Sequence, residues 1–283
     1  MNTQHTNGHG AAAIQRAFAT ARDEGRCALI PYIPVGYPSP ADTLELVPAL
    51  QAGGADLIEL GVPFSDPVAD GPTIQRATYA ALQAGVTPAS CLEMAGELRA
   101  QGVSVPLVLM GYYNPILRYG PARYAADCHR LGVDGLIVPD LPLEEAVPLR
   151  DACQAEGLGL ILLVAPTSDE ARVAQLAAAT SGFLYVVSRL GITGAGLAPG
   201  AELAERMDMI QRHARTPVAV GFGISAPEQV RAIAPHAEGI IVGSAIVERA
   251  PQGVEALRGF VATLRGATAR GERTTEFTEH TEV

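Results

Sequence analysis

The sequence predicts an α/β protein, a single-domain (β/α)8 barrel, and two observations carry that prediction. Short, nearly continuous apolar runs bounded by Gly, Pro or Asp recur along the 283 residues, which is typical of parallel strands covered on both faces. Segments of helical period separate the runs, many ending in Gly and several beginning after Pro, Ser or Asp. Eight strands alternating with eight helices is the plan of the (β/α)8 barrel.

The apolar runs give the predicted strands in order: 27–35, 55–62, 105–112, 134–140, 158–166, 182–189, 217–223 and 239–245. Residues 11–25, before the first strand, predict an extra helix across the barrel bottom, and a short helix is expected after the eighth strand. A doubly wound open sheet is the competing arrangement. Its Gly-x-Gly-x-x-Gly turn should follow the first strand, where this chain has IPVGYPSP instead.

The ends of the chain lack the apolar period of the middle. We therefore expect a flexible leader over residues 1–10, the barrel domain over 11–266 and a disordered polar tail over 267–283.

Composition excludes several kinds of function. A net charge of −10 argues against binding to nucleic acid or to an anionic membrane. No stretch approaches the ~20 apolar residues of a membrane span, and the N-terminus has no basic region followed by an apolar one. The expected location is the cytoplasm.

The residue types also limit the chemistry. All 20 basic residues are Arg, so a lysine Schiff base and lysine-bound pyridoxal phosphate are excluded for this chain. The six His lie in the leader, the tail or predicted helices, which makes a histidine metal site improbable. The four Cys have no C-x-x-C spacing and are expected to be reduced structural thiols.

The stretch ELGVPFSDPVADGP, residues 59–72, concentrates carboxylates at the end of the second strand, where barrel enzymes place their active sites. Burial would raise the pKa of Glu59 and suit it to moving protons; a structural ion pair with a distant Arg is the alternative. Asp66 and Asp70 could each be only a turn cap. The length of the segment and its apolar Phe64 and Val68 favour a lid over a site.

Glycine-rich motifs follow the last three strands: SRLGITGAG, GFGIS and GSAIVERA. Barrels that bind phosphate use the loops after strands seven and eight and the N-terminus of a short helix. Gly223, Gly243 and Ser244 occupy those places, and Gly194 can join them from the preceding loop.

These motifs together resemble the family of tryptophan synthase alpha subunits. The signature IELGVPFSDPVADGPTIQ is followed in the family's order by LMGYYNPI, VSRLGITGA, GFGIS and VGSAIV, so that the resemblance spans about residues 12 to 265. It implies a carbon–carbon lyase that cleaves indole-3-glycerol phosphate to indole and glyceraldehyde 3-phosphate, a step of tryptophan biosynthesis.

The resemblance also implies roles for individual residues. Glu59 would be the general acid and base, and Asp70 would hold the indole N–H. The phosphate would be bound by Gly194, Gly223, Gly243 and Ser244, and the indole ring by Tyr32, Leu109, Tyr185 and Phe222. Two mobile loops would close over the site: 63–70, with Pro63 and Asp66, and 189–199, with Arg189 and Thr193.

A partner and its cofactor follow from the same resemblance. The beta subunit, a pyridoxal-phosphate enzyme, would receive indole in an alpha2beta2 complex, while this chain would carry neither cofactor nor metal. The residues fit such a reaction because a retro-aldol cleavage needs an electron sink, usually a lysine imine or zinc. Indole protonated at C3 can serve as its own sink, so that carboxylates suffice.

Three rival functions stay open at this point. A stand-alone indole-glycerol-phosphate lyase would use the same carboxylates and release free indole. Another phosphate-barrel enzyme of the neighbouring steps is possible, although indole-glycerol-phosphate synthases rely on lysines. A non-catalytic phosphate-binding regulatory subunit is the third, and the presence of both Glu59 and Asp70 speaks against it.

Overall fold

The fold of the chain is a closed barrel of eight parallel strands in sequential order. The structure is a computed structural model that describes residues 8–188, 199–221 and 223–270. The strands are β1 Ala28–Pro34, β2 Ile58–Gly61, β3 Leu107–Met110, β4 Gly135–Ile137, β5 Gly159–Val164, β6 Leu184–Val187, β7 Val218–Gly221 and β8 Gly239–Val242. Each lies within a predicted apolar run, and β8 pairs with β1 to close the cylinder.

Helices surround the barrel. They are α1 Ala11–Asp23, α2 Pro40–Ala52, α3 Pro72–Gln83, α4 Pro88–Ala100, α5 Tyr113–Tyr119, α6 Pro121–Arg130, α7 Val147–Ala155, α8 Glu170–Ala179, α9 Pro199–His213, α10 Pro227–Ile233, α11 Ser244–Arg249 and α12 Val254–Gly266. Short 3-10 turns lie at Leu143–Glu145 and Ala250–Gln252. The expected α1 and α11 are present, whereas α3 and α5 lie in segments where the sequence pattern assigned no helix. No helix in the described ranges is long and apolar enough to cross a membrane.

Side chains alternate along each strand between two apolar clusters. On β1, Ala28 and Ile30 belong to the cluster inside the cylinder, while Leu29 and Ile33 belong to the cluster between the strands and the helices. This alternation follows from the period of two of an extended chain. It decides which residue at the end of each strand faces the mouth of the barrel.

Helix α1 closes the bottom of the cylinder. Its Ile14 and Phe18 are buried in the interior cluster, and Phe18 leaves no space for a Cβ at Gly239, the first residue of β8. Gly10, assigned to the leader by the sequence pattern, is buried and donates its N–H to Asp134 Oδ1 at 2.7 Å. The predicted domain boundaries stay predictions, since residues 1–7 and 271–283 lie outside the described residues.

Candidate active site

A cavity of about 320 Å³ opens at the carboxyl ends of the strands, opposite α1. Its walls combine two carboxylates, two tyrosines, apolar side chains and the chain segments that follow β7 and β8. The lining residues are Tyr32, Glu59, Asp70, Gly71, Ile74, Met110, Tyr185, Gly223, Ile224, Ser225, Ile241, Gly243 and Ser244. Seven of the residues predicted from the sequence therefore line one cavity: Glu59 and Asp70 for catalysis, Tyr32 and Tyr185 for the indole pocket, and Gly223, Gly243 and Ser244 for the phosphate site.

Glu59 points into the cylinder because it lies two residues after Leu57, a member of the interior cluster. Its side chain is almost completely buried, at 1% exposure, and Oε2 has no hydrogen-bond partner among the described residues. Burial first, and then the negative charge of Asp70, raise the pKa of Glu59 to about 8. Near neutral pH this carboxyl is therefore largely protonated and able to give its proton to a bound molecule.

Asp70 is half-buried on the segment between β2 and α3. Tyr112 donates its hydroxyl to Asp70 Oδ2 at 3.1 Å and accepts the N–H of Ala69 at 3.0 Å. Burial raises the pKa of Asp70 above its ordinary value, and the hydrogen bond from Tyr112 opposes that rise. Phe64 stacks on the Tyr112 ring with centroids 5.1 Å apart, so one aromatic residue after β3 fixes both the segment and its carboxylate.

Tyr112 was not among the residues predicted from the sequence. The signal available was the motif LMGYYNPI, which places two tyrosines just after β3 at the catalytic end of the barrel. Nothing in the motif shows which tyrosine reaches across to Asp70, because that contact spans 42 residues of sequence.

The two tyrosines of the cavity each lie over a glycine of the neighbouring strand. A Cβ on Gly61 would come within 2.2 Å of the Tyr32 hydroxyl, and one on Gly221 within 2.3 Å of the Tyr185 hydroxyl. Glycine at these positions lets both rings lie flat against the barrel wall beside Glu59. Burial raises the pKa of both phenols well above the ordinary value, so they stay neutral.

The segment after β7 is held by Gln229. Its Oε1 accepts the N–H groups of Ser225 and Ala226 at 2.7 and 3.1 Å, and its Nε2 donates to the carbonyl of Gly223 at 3.3 Å. Gly223 has a φ of +74°, in the left-handed region that favours glycine. Sequence reasoning found Gly223 but missed Gln229, whose role depends on a local turn that composition does not reveal.

The segment after β8 leads directly into α11. Gly243 and Ser244 both line the cavity, and a Cβ on Gly243 would meet no atom closer than 3.7 Å, in the Tyr32 ring. The first N–H groups of a helix have no acceptor within the helix. This edge of the cavity therefore offers open space together with backbone donors.

One predicted pocket residue requires correction. Leu109 does not line the cavity, because it lies on the outward face of β3 and packs in the cluster between strands and helices. The next residue, Met110, faces the cavity instead. The error is one residue along a strand, and on a strand that moves the side chain to the opposite face.

The remaining predicted residues lie elsewhere. Pro63 is buried and Asp66 is exposed, where its carboxylate accepts the Ser65 hydroxyl, and neither lines the cavity. Gly194, Phe222, Arg189 and Thr193 lie outside the described residues. Across the described ranges, no group of three or more His, Cys, Asp or Glu side chains is placed to hold a metal ion.

A closed (β/α)8 barrel with a buried, protonatable carboxyl in a cavity at the carboxyl ends of its strands is typical of a barrel enzyme. The sequence model of the family described as tryptophan synthase alpha chain matches residues 18–273 of this chain. The chain belongs to the tryptophan synthase alpha chain family.

Individual relatives are similar in sequence to this chain over nearly its whole length. The tryptophan synthase alpha chain of Chloroflexus aggregans is 50% identical over 264 residues, which cover 92% of this chain and 98% of the relative. That of Roseiflexus sp. is 49% identical, covering 89% and 99%. A solved structure of Mycobacterium tuberculosis tryptophan synthase superposes with a TM-score of 0.84 at 38% identity, covering 91% of this chain and 98% of that chain.

Proposed function

We propose that Glu59 and Asp70 carry the reaction of this family, the cleavage of indole-3-glycerol phosphate to indole and glyceraldehyde 3-phosphate. The observation that supports this assignment best is the Glu59 carboxyl. It is buried at the carboxyl end of β2, its pKa is raised to about 8, and its Oε2 lacks a partner within the described residues. A group in that state is prepared to exchange a proton with whatever fills the cavity.

The proposed steps balance with one carboxyl. Glu59 gives its proton to C3 of the indole ring, which becomes an indolenine with a positively charged nitrogen. The resulting carboxylate then takes the proton of the hydroxyl on the carbon attached to C3. That oxygen forms the aldehyde, the carbon–carbon bond breaks, and its electron pair returns to the ring as the C=N bond is lost. Glu59 ends protonated, as it began.

Asp70 is proposed to stabilise the positive charge that develops at the indole nitrogen. It lines the same cavity as Glu59 and is oriented by Tyr112. A carboxylate aimed at a charge that appears only during the reaction favours the transition state over the substrate. Tyr32, Tyr185 and Met110 supply flat or apolar surface beside the carboxylates and form the proposed indole pocket.

The phosphate of the substrate is proposed to lie at the opposite side of the cavity, against Gly223, Gly243 and Ser244. Backbone N–H groups after β7 and at the start of α11 would receive it, as phosphate is received in other barrels. Gly194 and the 189–199 loop are proposed to complete the site.

The proposed partner is the beta subunit, to which the indole passes in an alpha2beta2 complex in the cytoplasm. Pyridoxal phosphate would belong to that subunit, because this chain has no Lys with which to hold it. Closure of the 63–70 and 189–199 loops on assembly would make the complex faster than the isolated chain. Equal rates of indole release with and without beta subunit, or no co-elution in gel filtration, would favour a stand-alone lyase.

The test of the catalytic assignment is Glu59→Gln, assayed by release of indole from indole-3-glycerol phosphate. Loss of an acid–base group costs about 10²–10⁴-fold in rate, so kcat should fall at least 100-fold while binding of glycerol 3-phosphate is retained. Glu248→Gln is the matched control, since Glu248 lies near the mouth, accepts the Thr73 hydroxyl at 3.1 Å and does not line the cavity. Activity retained in Glu59→Gln would refute the assignment.

A further inference from the structure

A second cavity lies at the bottom of the barrel, opposite the carboxylates. It has a volume of about 460 Å³ and opens beside the residues that precede β7 and β8. We call it the floor cleft. Its polar lining side chains are Arg22, Gln211, Arg215, Thr216, Glu238 and Arg270. The proposed lyase reaction uses none of them.

The floor cleft contains buried hydrogen-bond donors without acceptors. In the described residues three buried side-chain atoms lack a partner: Glu59 Oε2, Thr216 Oγ1 and Arg270 Nε. The first belongs to the active site, and the residues of the other two both line the floor cleft. Buried polar atoms are normally hydrogen-bonded in native proteins. Two donors left open in one cavity therefore point to an acceptor that binds there.

The charges of the floor cleft agree with this. Three arginines and one glutamate line it, and Arg22 pairs with Asp23 at 3.7 Å, which leaves one positive charge in excess (three arginines minus Glu238 and Asp23) in a chain of net charge −10. Glu238 shares the cavity, where its carboxylate accepts the N–H of Val218 at 2.9 Å. Arg215 is exposed and has no ion pair or side-chain hydrogen bond within the described part of the chain.

The dipole of helix α9 explains only part of the cluster of arginines in the floor cleft. Arg215 lies just beyond the C-terminus of α9, where the helix dipole favours a cation. The dipole does not explain why Arg270, which donates from another nitrogen to the carbonyl of Ala237, keeps a buried Nε–H without an acceptor.

We propose that the floor cleft binds phosphate, as the phosphate end of a small metabolite. Guanidinium groups remain charged and pair with phosphate through two parallel N–H donors, and the hydroxyl of Thr216 adds a second kind of donor. The cavity volume lies within the ~300–1,000 Å³ typical of small-molecule sites, which favours a phosphate monoester over the free ion. This ligand site is separate from the one in the proposed lyase reaction.

The experiment is a calorimetric titration of the full chain with glycerol 3-phosphate and, separately, with inorganic phosphate. The wild-type chain should bind two molecules, one at the mouth and one in the floor cleft. Arg215→Gln should weaken one of the two at least tenfold and leave kcat and KM for indole-3-glycerol phosphate unchanged. Thr216→Val should weaken the same site. Arg231→Gln, which removes an exposed arginine paired with Glu228 on α10, should bind both molecules as the wild type does.

The outcomes separate this proposal from the proposed function. If the mouth did not bind phosphate, one molecule would still bind and Arg215→Gln would still weaken its binding at least tenfold. Tighter binding of the monoester, or equal binding of both probes, supports a phosphate site. The proposal is overturned if Arg215→Gln and Thr216→Val leave the stoichiometry and affinities unchanged. It is also overturned if crystals soaked in glycerol 3-phosphate show only water, or residues 271–283, between Arg270 and Thr216.

Discussion

Glu59 stands at a position where the alternation of β2 would ordinarily place an apolar residue. Leu57 before it is a core residue of the barrel interior, and Glu59 is buried to the same degree. An ionised carboxylate there, with no cation beside it among the described residues, would be costly. The carboxyl avoids this cost by staying protonated, which is also the state that the proposed first step requires.

The raised pKa makes a prediction about stability. The folded-state pKa of Glu59 is about 8 against an ordinary value of 4.5, so the folded chain holds a proton that the unfolded chain has lost. This contribution to the free energy of unfolding is complete below the ordinary pKa and is lost as the pH rises through about 8. Glu59→Gln imitates the protonated form at every pH. The free energy of unfolding of the wild type should therefore fall relative to that of Glu59→Gln as the pH rises. The difference should grow by up to about 1.4 kcal/mol per pH unit between the two pKa values.

Urea unfolding of both proteins at several pH values from 5 to 9 measures this difference. Glu248→Gln, whose carboxylate is exposed, serves as the control and should run parallel to the wild type. Parallel curves for Glu59→Gln as well would show that Glu59 ionises normally, contrary to the prediction.

Tyr112 makes the second prediction for a single residue. Its hydroxyl is the only group among the described residues seen to donate a side-chain hydrogen bond to the Asp70 carboxylate. Hydrogen bonds to charged groups contribute about 1.5–3 kcal/mol, and each 1.36 kcal/mol is a factor of ten in rate. Tyr112→Phe should therefore lower kcat/KM for indole-3-glycerol phosphate by about ten- to a hundredfold.

The matched variant is Tyr119→Phe, which removes a hydroxyl that donates to Asp127 at 2.8 Å, away from the cavity. It should keep wild-type kinetics. An unchanged kcat/KM in Tyr112→Phe, with wild-type circular dichroism, would mean that Asp70 needs no orientation by this hydroxyl.

At the scale of the element, the strands set what can be predicted from sequence. The apolar runs located each of the eight strands because a strand buried on both faces must be apolar throughout. For the same reason the runs do not show which residues face inward. A polar residue such as Glu59 shows which face of its strand it is on, since it must reach the mouth. Leu109 and Met110 are both apolar, so the sequence does not show which of them faces the cavity, and Leu109 was wrongly predicted to do so.

Helices were harder to locate near the site. Helix α3 follows the segment 63–70 with only Gly71 between, and its sequence PTIQRATYAALQ has polar residues at most exposed positions. Helix α5 has seven residues and an internal Pro. A helix as short as α5 takes its stability from contacts with the rest of the fold. Helix α3, with twelve residues, does have an amphipathic period, which sequence reasoning missed.

The segment after β7 gives a prediction at this scale. Gln229 binds both ends of the turn Gly223–Ala226 through one side chain. Gln229→Leu keeps the size of the side chain and removes these hydrogen bonds, so that the backbone donors of the proposed phosphate site lose their orientation. The KM for indole-3-glycerol phosphate should rise about tenfold with little change in kcat. A control is Gln175→Leu on the exposed face of α8, and a fall in kcat at constant KM would contradict a role in binding.

At the scale of the whole molecule, the barrel separates chemistry from stability. The mouth holds open backbone donors and Glu59, whose Oε2 has no partner in the described part of the chain, and such groups are costly to the fold. The bottom below β1 to β4 is held by ion pairs: Arg26 forms a bidentate ion pair with Asp56, and Arg99 pairs with Asp134. The site at the mouth could be predicted from the sequence because carboxylates and glycines cluster at the ends of the apolar runs. Sequence reasoning did not find the bottom network, because an isolated Arg or Asp in a sequence does not reveal a partner 30 or more residues away.

Asp134 connects three parts of that network and allows the separation to be tested. It is fully buried and accepts the N–H groups of Gly10 and Leu107 at 2.7 and 2.8 Å and an Arg99 nitrogen at 2.6 Å. Asp134→Ala leaves the Arg99 guanidinium, whose side chain is 13% exposed, without its counter-charge. Removing one partner of a buried pair costs about 3–5 kcal/mol, and the free energy of unfolding in urea should fall by that amount.

The same variant should keep its kcat for indole release at a temperature where it remains folded, because Asp134 lies at the other end of the strands from Glu59. Glu59→Gln should show the reverse, lost turnover with equal or greater stability. Asp134→Asn, which retains an acceptor but not the charge, should fall between the wild type and Asp134→Ala in stability. A large fall in kcat for folded Asp134→Ala would mean that the bottom of the barrel positions the catalytic carboxyl. The two ends of the cylinder would then be coupled through β3 and its neighbours, rather than dividing stability and chemistry between them.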